Sequence, residues 1–407
     1  MKWLLFAVKN VKRNRRRSIL TIVIAAVGTA SLLVGGGFVE YIYALLRRVA
    51  ASDSGHVVLA HHDYFDADED VPMQHGLDDA QGVKARLEAD ARVRAALPRL
   101  QFSGLLSNGD NSAVFIGTGI DAAGEFRVRG SFLWKVTAGA TLTERPQRDD
   151  IPEIMVGKDL ARQLRATPGS ILTLLASTTH GSLNAQDVRV KGIYTVGVPE
   201  MDRRAVLVHL DTAQRLLLTD RVSTVSAYLH RLDDTDAVRA SIARLFPGRA
   251  LRTWREQAFY YHAVRALYNR IFGMLGAIIV VLVLFAVSNT LGMAVVERTR
   301  EIGTFRALGA FPGQITRNFV LEGLVVGAAG AIAGMAIALL VSVALDRSGA
   351  MMPPPPGYSI GYRLLVERSV GLYACGAAVI VAVSGLAAWF VSRKAAARPI
   401  VEALTHV

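Results

Sequence analysis

Hydrophobic positions follow two different patterns along the chain. Four stretches are apolar almost without interruption: about Ile19 to Val39, Ile271 to Val296, Phe319 to Leu345 and Val370 to Val391. Each reaches the ~20 residues that a helix needs to cross a bilayer core. None has a charge near its centre; Glu40 marks the far end of the first, and Glu322 lies near the start of the third. Between the first and second stretches the pattern changes to short β-branched runs bounded by Gly, Asp or Ser, alternating with amphipathic segments. The runs predict strands at His56–Ala60, Ala113–Gly117, Ile154–Val156, Ile171–Leu175, Val188–Val196, Ala205–Leu210 and Val222–Leu229. Helices are predicted at Gln81–Ala96, Lys158–Arg165, Asp211–Leu218, Asp234–Leu245 and Thr253–Asn269, with Asp211 and Thr253 as N-caps and the last helix running on into the second span. At ~225 residues this intervening segment is large enough for one or two domains.

Charge orients the spans. The chain has 46 Lys+Arg against 34 Asp+Glu, a net charge of +12, although 52% of its residues are hydrophobic. A basic soluble α/β enzyme and an integral membrane protein both fit those totals; the distribution separates them. Residues 1–17 hold seven Lys/Arg and no acid, 297–317 hold four Arg and two Glu, and 393–407 hold three Lys/Arg and one Glu, so these segments carry +11 of the +12. Lys and Arg cluster on the cytoplasmic side of membrane spans. The charge therefore signals topology and gives no support to nucleic-acid binding.

The predicted fold class is an α+β membrane protein: four transmembrane helices plus a large α/β-mixed periplasmic domain between helices 1 and 2. The segments are a cytoplasmic basic stretch (1–17), span one (18–44), the periplasmic domain (45–268), span two (269–296), a cytoplasmic loop (297–317), span three (318–345), a short periplasmic loop (346–369), span four (370–392) and a cytoplasmic tail (393–407). Both termini fall inside. The first apolar stretch exceeds the ~7–15 residues of a signal-peptide core and has no clean small-x-small site after it, so it is read as an uncleaved anchor. Before it, Trp3, Leu4, Ala7, Val8 and Val11 share one helical face, with Lys2, Lys9 and Asn10 off it, which reads as an interfacial amphipathic helix.

Candidate chemistry changes this picture little. Cys375, in the fourth span, is the only cysteine, so the outside domain has no disulfide. His56, His61, His62, Asp63, Asp66, Asp68, Glu69, Asp70 and His75 mix imidazole with carboxylate, but their spacing matches no defined metal site. A solvated acidic loop is the reading, and no metal ligand is assigned. Ala176–Asp187 reads as a polar hairpin loop around His180, with Gly181 and Asn184 as turn residues; it serves either as a plain connector or as a contact for a soluble partner. The chain lacks G-x-x-x-x-G-K-[ST], G-x-S-x-G and H-E-x-x-H, so it carries no recognisable ATPase, serine hydrolase or zinc protease site.

Two features of the membrane part stand out. The loop after span two, Glu297-Arg298-Thr299-Arg300-Glu301-Ile302-Gly303-Thr304-Phe305-Arg306-Ala307-Leu308-Gly309-Ala310, reads as a short helix stopped by Gly309 with Pro312 soon after. It is either a docking element for a soluble partner or a solvated connector. Span three carries Gly323, Gly327, Gly330 and Gly334, and span one carries Gly35, Gly36 and Gly37. Small residues at this spacing let helix backbones approach closely, within one chain or between two copies.

Taken together, the layout resembles the permease subunits of the MacB/FtsX/LolC-type ABC transporters over almost the whole chain. The most specific match is Glu297 to Ala310, followed by Glu322; the basic entry Lys9 to Arg17, the close Arg398-Pro399-Ile400-Val401-Glu402-Ala403-Leu404, and the stretches Gly157-Lys158-Asp159-Leu160-Ala161, Gly192-Ile193-Tyr194 and Glu200 to Arg204 support it. The periplasmic stretches look more like the lipoprotein-release (LolC/LolE-like) branch, and no ATPase domain is fused as in MacB. One departure is that Ala176–Asp187 is short and has neither proline nor aromatic residue, unlike the carrier-docking hairpin of that branch.

The resemblance implies a non-enzymatic membrane subunit of an ATP-driven complex. Glu297, Arg298, Arg300, Glu301, Ile302, Gly303, Phe305, Arg306, Ala307, Leu308, Gly309 and Ala310 would couple to the ATPase, and Gly35, Gly36, Gly323, Gly327, Gly330 and Gly334 would serve helix packing. Implied partners are a cytoplasmic ABC ATPase dimer, a second permease copy or paralogue, membrane lipid and a periplasmic accessory protein, with no nucleic acid. No catalytic, metal or cofactor site is expected on this chain; ATP and Mg²⁺ would sit on the ATPase. The implied work is mechanical, extracting or exporting a lipoprotein, other amphiphile, peptide or drug at the outer face of a bacterial inner membrane. The alternative is an FtsX-like module that switches on an external cell-wall hydrolase.

Overall fold

A computed structural model of the chain describes residues 7, 10, 11, 13, 15–66, 69, 71–129, 135–144, 151–354, 359 and 361–396. Most of the predicted interfacial helix at residues 1–11, Asp68 and Asp70 of the acidic loop, and the closing stretch Arg398 to Leu404 lie outside the described residues. The helices are α1 (Arg15–Ser54), α2 (Ala80–Glu88), α3 (Ala122–Arg129), α4 (Lys158–Gln163), α5 (Pro199–Asp202), α6 (Leu210–Leu217), α7 (Thr235–Leu245), α8 (Trp254–Gln257), α9 (Phe259–Glu297), α10 (Thr299–Ala307), α11 (Pro312–Ser348) and α12 (Val370–Ala396). The main strands are β1 (Val57–Ala60), β2 (Val93–Ser107), β3 (Ser112–Ile120), β4 (Lys135–Gly139), β5 (Glu153–Gly157), β6 (Ile171–Ser177), β7 (Leu183–Thr195), β8 (Ala205–His209), β9 (Thr224–Leu229) and β10 (Ala250–Thr253). The chain forms two compact units, one holding Met1–Ala44, Ala263–Met352 and Arg363–Val407, the other holding Leu45–His262 and Pro353–Tyr362.

In the first unit, α1, α9, α11 and α12 are each long and apolar enough to cross a membrane. They run past the apolar stretches that announce them. Glu40 lies inside α1, where its carboxylate accepts a hydrogen bond from Ser369 Oγ at 2.9 Å. The helices pack on a dry seam of Ala25, Val283, Val287, Leu291, Ile380, Val383, Ala387 and Ala388. Thr21 Oγ1 donates to Thr290 Oγ1 across the seam at 2.7 Å, which satisfies a hydroxyl that lipid could not.

The second unit is a mixed 10-stranded sheet in the order β10-β1-β9-β2-β3-β8-β5-β7-β4, with β6 pairing both β2 and β7. Following the pairs β2–β3, β3–β8, β8–β5, β5–β7, β7–β6 and β6–β2 closes a ring of strands. The ring wraps one core, built on Leu100, Phe102, Phe115, Ile154, Val156, Leu174, Val190 and Val206, and capped by Leu160 and Leu164 and by Leu216 of α6. The β10-β1-β9 wing has its own core, in which Leu59, Val225 and Ala227 meet Leu87 of α2 and Val238 of α7.

Several expectations need correcting. The helix predicted over Gln81–Ala96 stops at Glu88, and Val93 opens β2, the longest strand of the sheet. Val93-Arg-Ala-Ala-Leu-Pro-Arg-Leu is rich in Ala and Arg, so propensity points to helix; pairing with β9, joined by β3 from Arg99 onward, overrides it. Pro98 is tolerated because the β3 ladder begins only at Arg99. The polar stretch 176–187 is mostly strand, because β6 and β7 pair from Ile171↔Arg189 to Ser177↔Leu183 and leave a tight turn at 178–182. Asp211 is not an N-cap: α6 starts at Leu210, and its cap residue is His209. Thr253 does cap, through a reciprocal capping box with Glu256, but the helix it opens breaks after Gln257 before α9 begins at Phe259.

Candidate functional site: the short helix after the second span and its supports

The stretch Glu297 to Ala310 is not one helix. Glu297 closes α9, Arg298 breaks the path, and α10 runs from Thr299 to Ala307. Its end is a Schellman closure. Ala310 N donates to Phe305 O at 3.0 Å and Gly309 N to Arg306 O at 3.1 Å, with Gly309 at φ +94. That left-handed conformation suits glycine alone without strain.

The inner face of α10 is anchored. Ile302 packs with Val295, Ile315, Phe319 and Ala396. Arg298 Nη1 lies 3.3 Å from Glu322 Oε2, and both side chains are buried. Thr299 Oγ1 donates to Val296 O at 2.9 Å. Two ion pairs tie the same stretch to the start of the chain: Arg17–Glu297 at 2.5 Å and Arg13–Glu301 at 3.5 Å. Each partner set is spaced by four residues, so one helical face meets another. Beneath them lies a cavity of about 380 Å³ lined by Arg13, Arg298, Glu301, Phe305, Asn318 and Glu322 among others.

The outer face of the loop is bare. Phe305, Leu308 and Phe311 are 53%, 79% and 72% exposed. Arg300 and Ala307 are also exposed, whereas Gly303 is buried and Arg306 and Ala310 are half-buried. An exposed aromatic and aliphatic patch of this kind, at the end of a short helix, is a candidate docking surface.

The glycines are used inside the chain. A Cβ at Gly323 or Gly327 would fall 2.6 Å from Ala388 Cβ or 2.7 Å from Ser384 Cβ, both on α12. At Gly330 it would meet Ala25 Cβ at 2.5 Å, and at Gly334 Ala26 O at 2.5 Å, both on α1. At Gly36 it would press on Leu372 Cδ1 at 2.9 Å, and at Gly35 it would touch Phe272 at 3.4 Å. One stripe on α11 therefore seats two neighbours, a division that spacing alone did not reveal.

These elements and their order match known families along the chain. Residues 18–245 match the MacB-like periplasmic core domain and residues 273–400 the FtsX-like permease C-terminal domain. The chain belongs to the MacB/FtsX/LolC-type family of ABC transporter permeases. It is a multi-pass membrane protein with a large periplasmic domain, consistent with inner-membrane topology. It is 26% identical over 276 residues to the lipoprotein-releasing system transmembrane protein LolC of Xylella fastidiosa, covering 66% of this chain and 65% of that protein. It is 26% identical over 282 residues to the pyoverdine export ATP-binding/permease protein PvdT of Pseudomonas fluorescens, covering 67% of this chain and 41% of that one. The chain thus spans less than two thirds of the length of these relatives. The periplasmic region of MacB from Actinobacillus actinomycetemcomitans aligns with 50% of this chain and 92% of its own length, at 12% identity and a TM-score of 0.37.

The permease's periplasmic domain contains a polar device that sequence reading missed. Arg99, on β2, donates to both oxygens of Glu125 on α3, at 2.5 and 3.1 Å, and Arg129 reaches Glu125 at 3.3 Å and Asp53 at 2.7 Å. Burial alone would raise the Glu125 carboxyl, but the guanidiniums of Arg99 and Arg129 outweigh it and hold it below the usual range. Asp53, Arg99 and Arg129 border an open cleft of about 650 Å³ on the sheet face, with Tyr64, Gln101, Ile116, Thr118 and Arg204. Arg99 and Glu125 are 26 residues apart, so each looks like an ordinary surface charge in the sequence.

Proposed function

We propose that the chain is the membrane subunit of a mechanotransmission-type ABC transporter. A separate cytoplasmic ATPase dimer, which carries ATP and Mg²⁺, docks on α10 and the turn after it. Closure of the ATPases moves α10, and the movement passes through the spans to the periplasmic domain, which does work on a lipoprotein or other amphiphile at the outer face. The observation that carries this reading is the two-sided character of α10: anchored inside by Arg298–Glu322 and Ile302, bare outside at Phe305, Leu308 and Phe311. Such an element transmits force because it is fixed to the spans and free to its partner. The likeness to LolC favours lipoprotein release among the substrate classes.

A second permease, identical or paralogous, pairs with this one. The α11 glycines are already occupied within the chain, so pairing uses another face. On α9, Phe285, Asn289, Met293 and Val296 are exposed. An amide facing lipid gains by meeting a partner helix.

The test is co-purification with the cognate ATPase from membranes. Arg306→Glu and Gly309→Pro should each abolish recovery of the ATPase while the periplasmic domain keeps its fold. Proline removes the Gly309 N–H that closes the helix and cannot take its positive φ. Full ATPase recovery with both variants would overturn the docking assignment.

A further inference from the structure

We propose that His61, His62, His75 and Asp63 form a binding site for a divalent metal ion of the zinc class on the periplasmic domain. This inference is independent of the transport reading. It starts from the way the chain leaves β1. After the buried Ala60, it turns at once: Tyr64 N donates to His61 O and Asp66 N to Asp63 O, both at 3.1 Å. The turn brings the donor atoms of His61, His62 and Asp63 within 4.8 Å of one another. His61 and His62 ring centroids are 4.4 Å apart, and His62 Nε2 lies 2.8 Å from Asp63 Oδ2.

The fourth donor comes from farther along the chain and is held in place by a separate device. Glu69 accepts from Met73 N at 3.1 Å and from His75 N at 2.9 Å. Met73 takes a left-handed conformation at φ +65, and Gly76 N returns to Met73 O at 3.0 Å. The next residue, Leu77, bridges to Val222, so the loop is tied to the body of the domain. As a result the His75 ring stacks on His61 at 5.6 Å, and its Nδ1 lies 3.9 Å from Asp63 Oδ2. The His75 side chain is only 12% exposed, which sets it apart from a solvated surface histidine.

Three imidazoles and one carboxylate are the donor set that borderline cations such as Zn²⁺ prefer. In a tetrahedral zinc site, bonds of about 2.0–2.1 Å put the donors roughly 3.3 Å apart. Most of the contraction needed is a change of side-chain rotamer, because the backbone already gathers the groups. Asp63 is central: it contacts His62 and faces His75, so it is poised to exchange that contact for a metal bond. Asp63 supplies negative charge at the cluster, while Arg249 is the cation whose field reaches His61. Tyr64 and Phe65, inside the same turn, line the open cleft on the sheet. A bound ion would therefore stiffen one rim of that cleft.

The test uses the purified full chain in detergent, free of any polyhistidine tag and stripped with EDTA. Zn²⁺ is titrated calorimetrically, and Co²⁺ is added separately as a spectroscopic probe. The expected result is saturable binding of Zn²⁺ to one site and a Co²⁺ visible spectrum of tetrahedral intensity. His61→Ala with His75→Ala should abolish both, and His62→Ala or Asp63→Asn alone should weaken binding about tenfold or more. His180→Ala, in the β6–β7 turn, should change neither. Thermal melts in EDTA establish that each variant is folded, and His75→Gln replaces His75→Ala if the latter is not. If the wild type binds no more Zn²⁺ than the folded double variant, or gives only the octahedral Co²⁺ spectrum of solution, the site does not exist.

Discussion

Arg298 and Glu322 show what a single buried pair contributes to the permease. They are 24 residues apart, and both are nearly excluded from solvent where α10 meets α11. Removing one partner leaves the other charge buried and unpaired, which costs about 3–5 kcal/mol. Glu322→Ala should therefore lower the melting temperature of the full chain in detergent markedly, while Arg298→Met with Glu322→Leu should recover most of the loss. Equal loss in the single and double variants would show that the pair is not what holds α10. The end of the short helix was legible in sequence, because Gly309 and Pro312 announce it. The partnership with Glu322 was not, since no local period links the two positions. His56 makes a second residue-scale prediction. Burial lowers its pKa to about 4, and its neutral Nδ1 accepts from Leu229 N at 3.0 Å. The unfolded chain thus binds a proton more readily between about pH 6.5 and 4. Stability should fall as pH drops through that window, by on the order of 1–2 kcal/mol once partial exposure is allowed for. His56→Gln, which keeps an acceptor but cannot titrate, should flatten this part of the melting-temperature profile against pH.

At the scale of elements, close approach rather than hydrophobicity sets the packing of the spans. Gly330 and Gly334 put the α11 backbone directly against α1 at Ala25, Ala26 and Thr29. Lipid offers as good a home to an apolar side chain as a neighbouring helix does, so added bulk here gives no compensating gain. Gly334→Leu should force α1 and α11 apart and lower the melting temperature of the permease in detergent. Gly313→Leu, at an open position near the start of α11, should not. Matched loss in both variants would mean that glycine matters there for reasons other than contact. The four spans were readable because length and apolarity alone determine them. Among the strands, those rich in Val and Ile were found, whereas β4 and β10 were not, and neither was β2. Its Ala, Arg and Pro make sense only once β9, β3 and β6 surround it, and that neighbourhood is built from residues up to 136 positions away, as in Val93↔Leu229.

For the whole molecule, the distribution of charge is the strongest statement in the sequence. Nearly all of the +12 lies in three segments, and the rest of the chain is close to neutral. A bias of that kind orients spans, so the segment holding α10 and the segment holding the sheet belong on opposite sides of the bilayer. Single cysteines can check this in a Cys375→Ser background, which removes the chain's only native thiol. Leu183, at the start of β7, is 78% exposed and Leu308, after α10, is 79% exposed, so both report accessibility rather than burial. A membrane-impermeant maleimide added to intact spheroplasts should label Leu183→Cys and spare Leu308→Cys. Added to inverted vesicles, it should reverse that preference. The same labelling on both sites from one side would invalidate the orientation, and with it the placement of the ATPase on α10. The metal site proposed at His61 to His75 would then face a different compartment, although its ligand geometry would be unchanged.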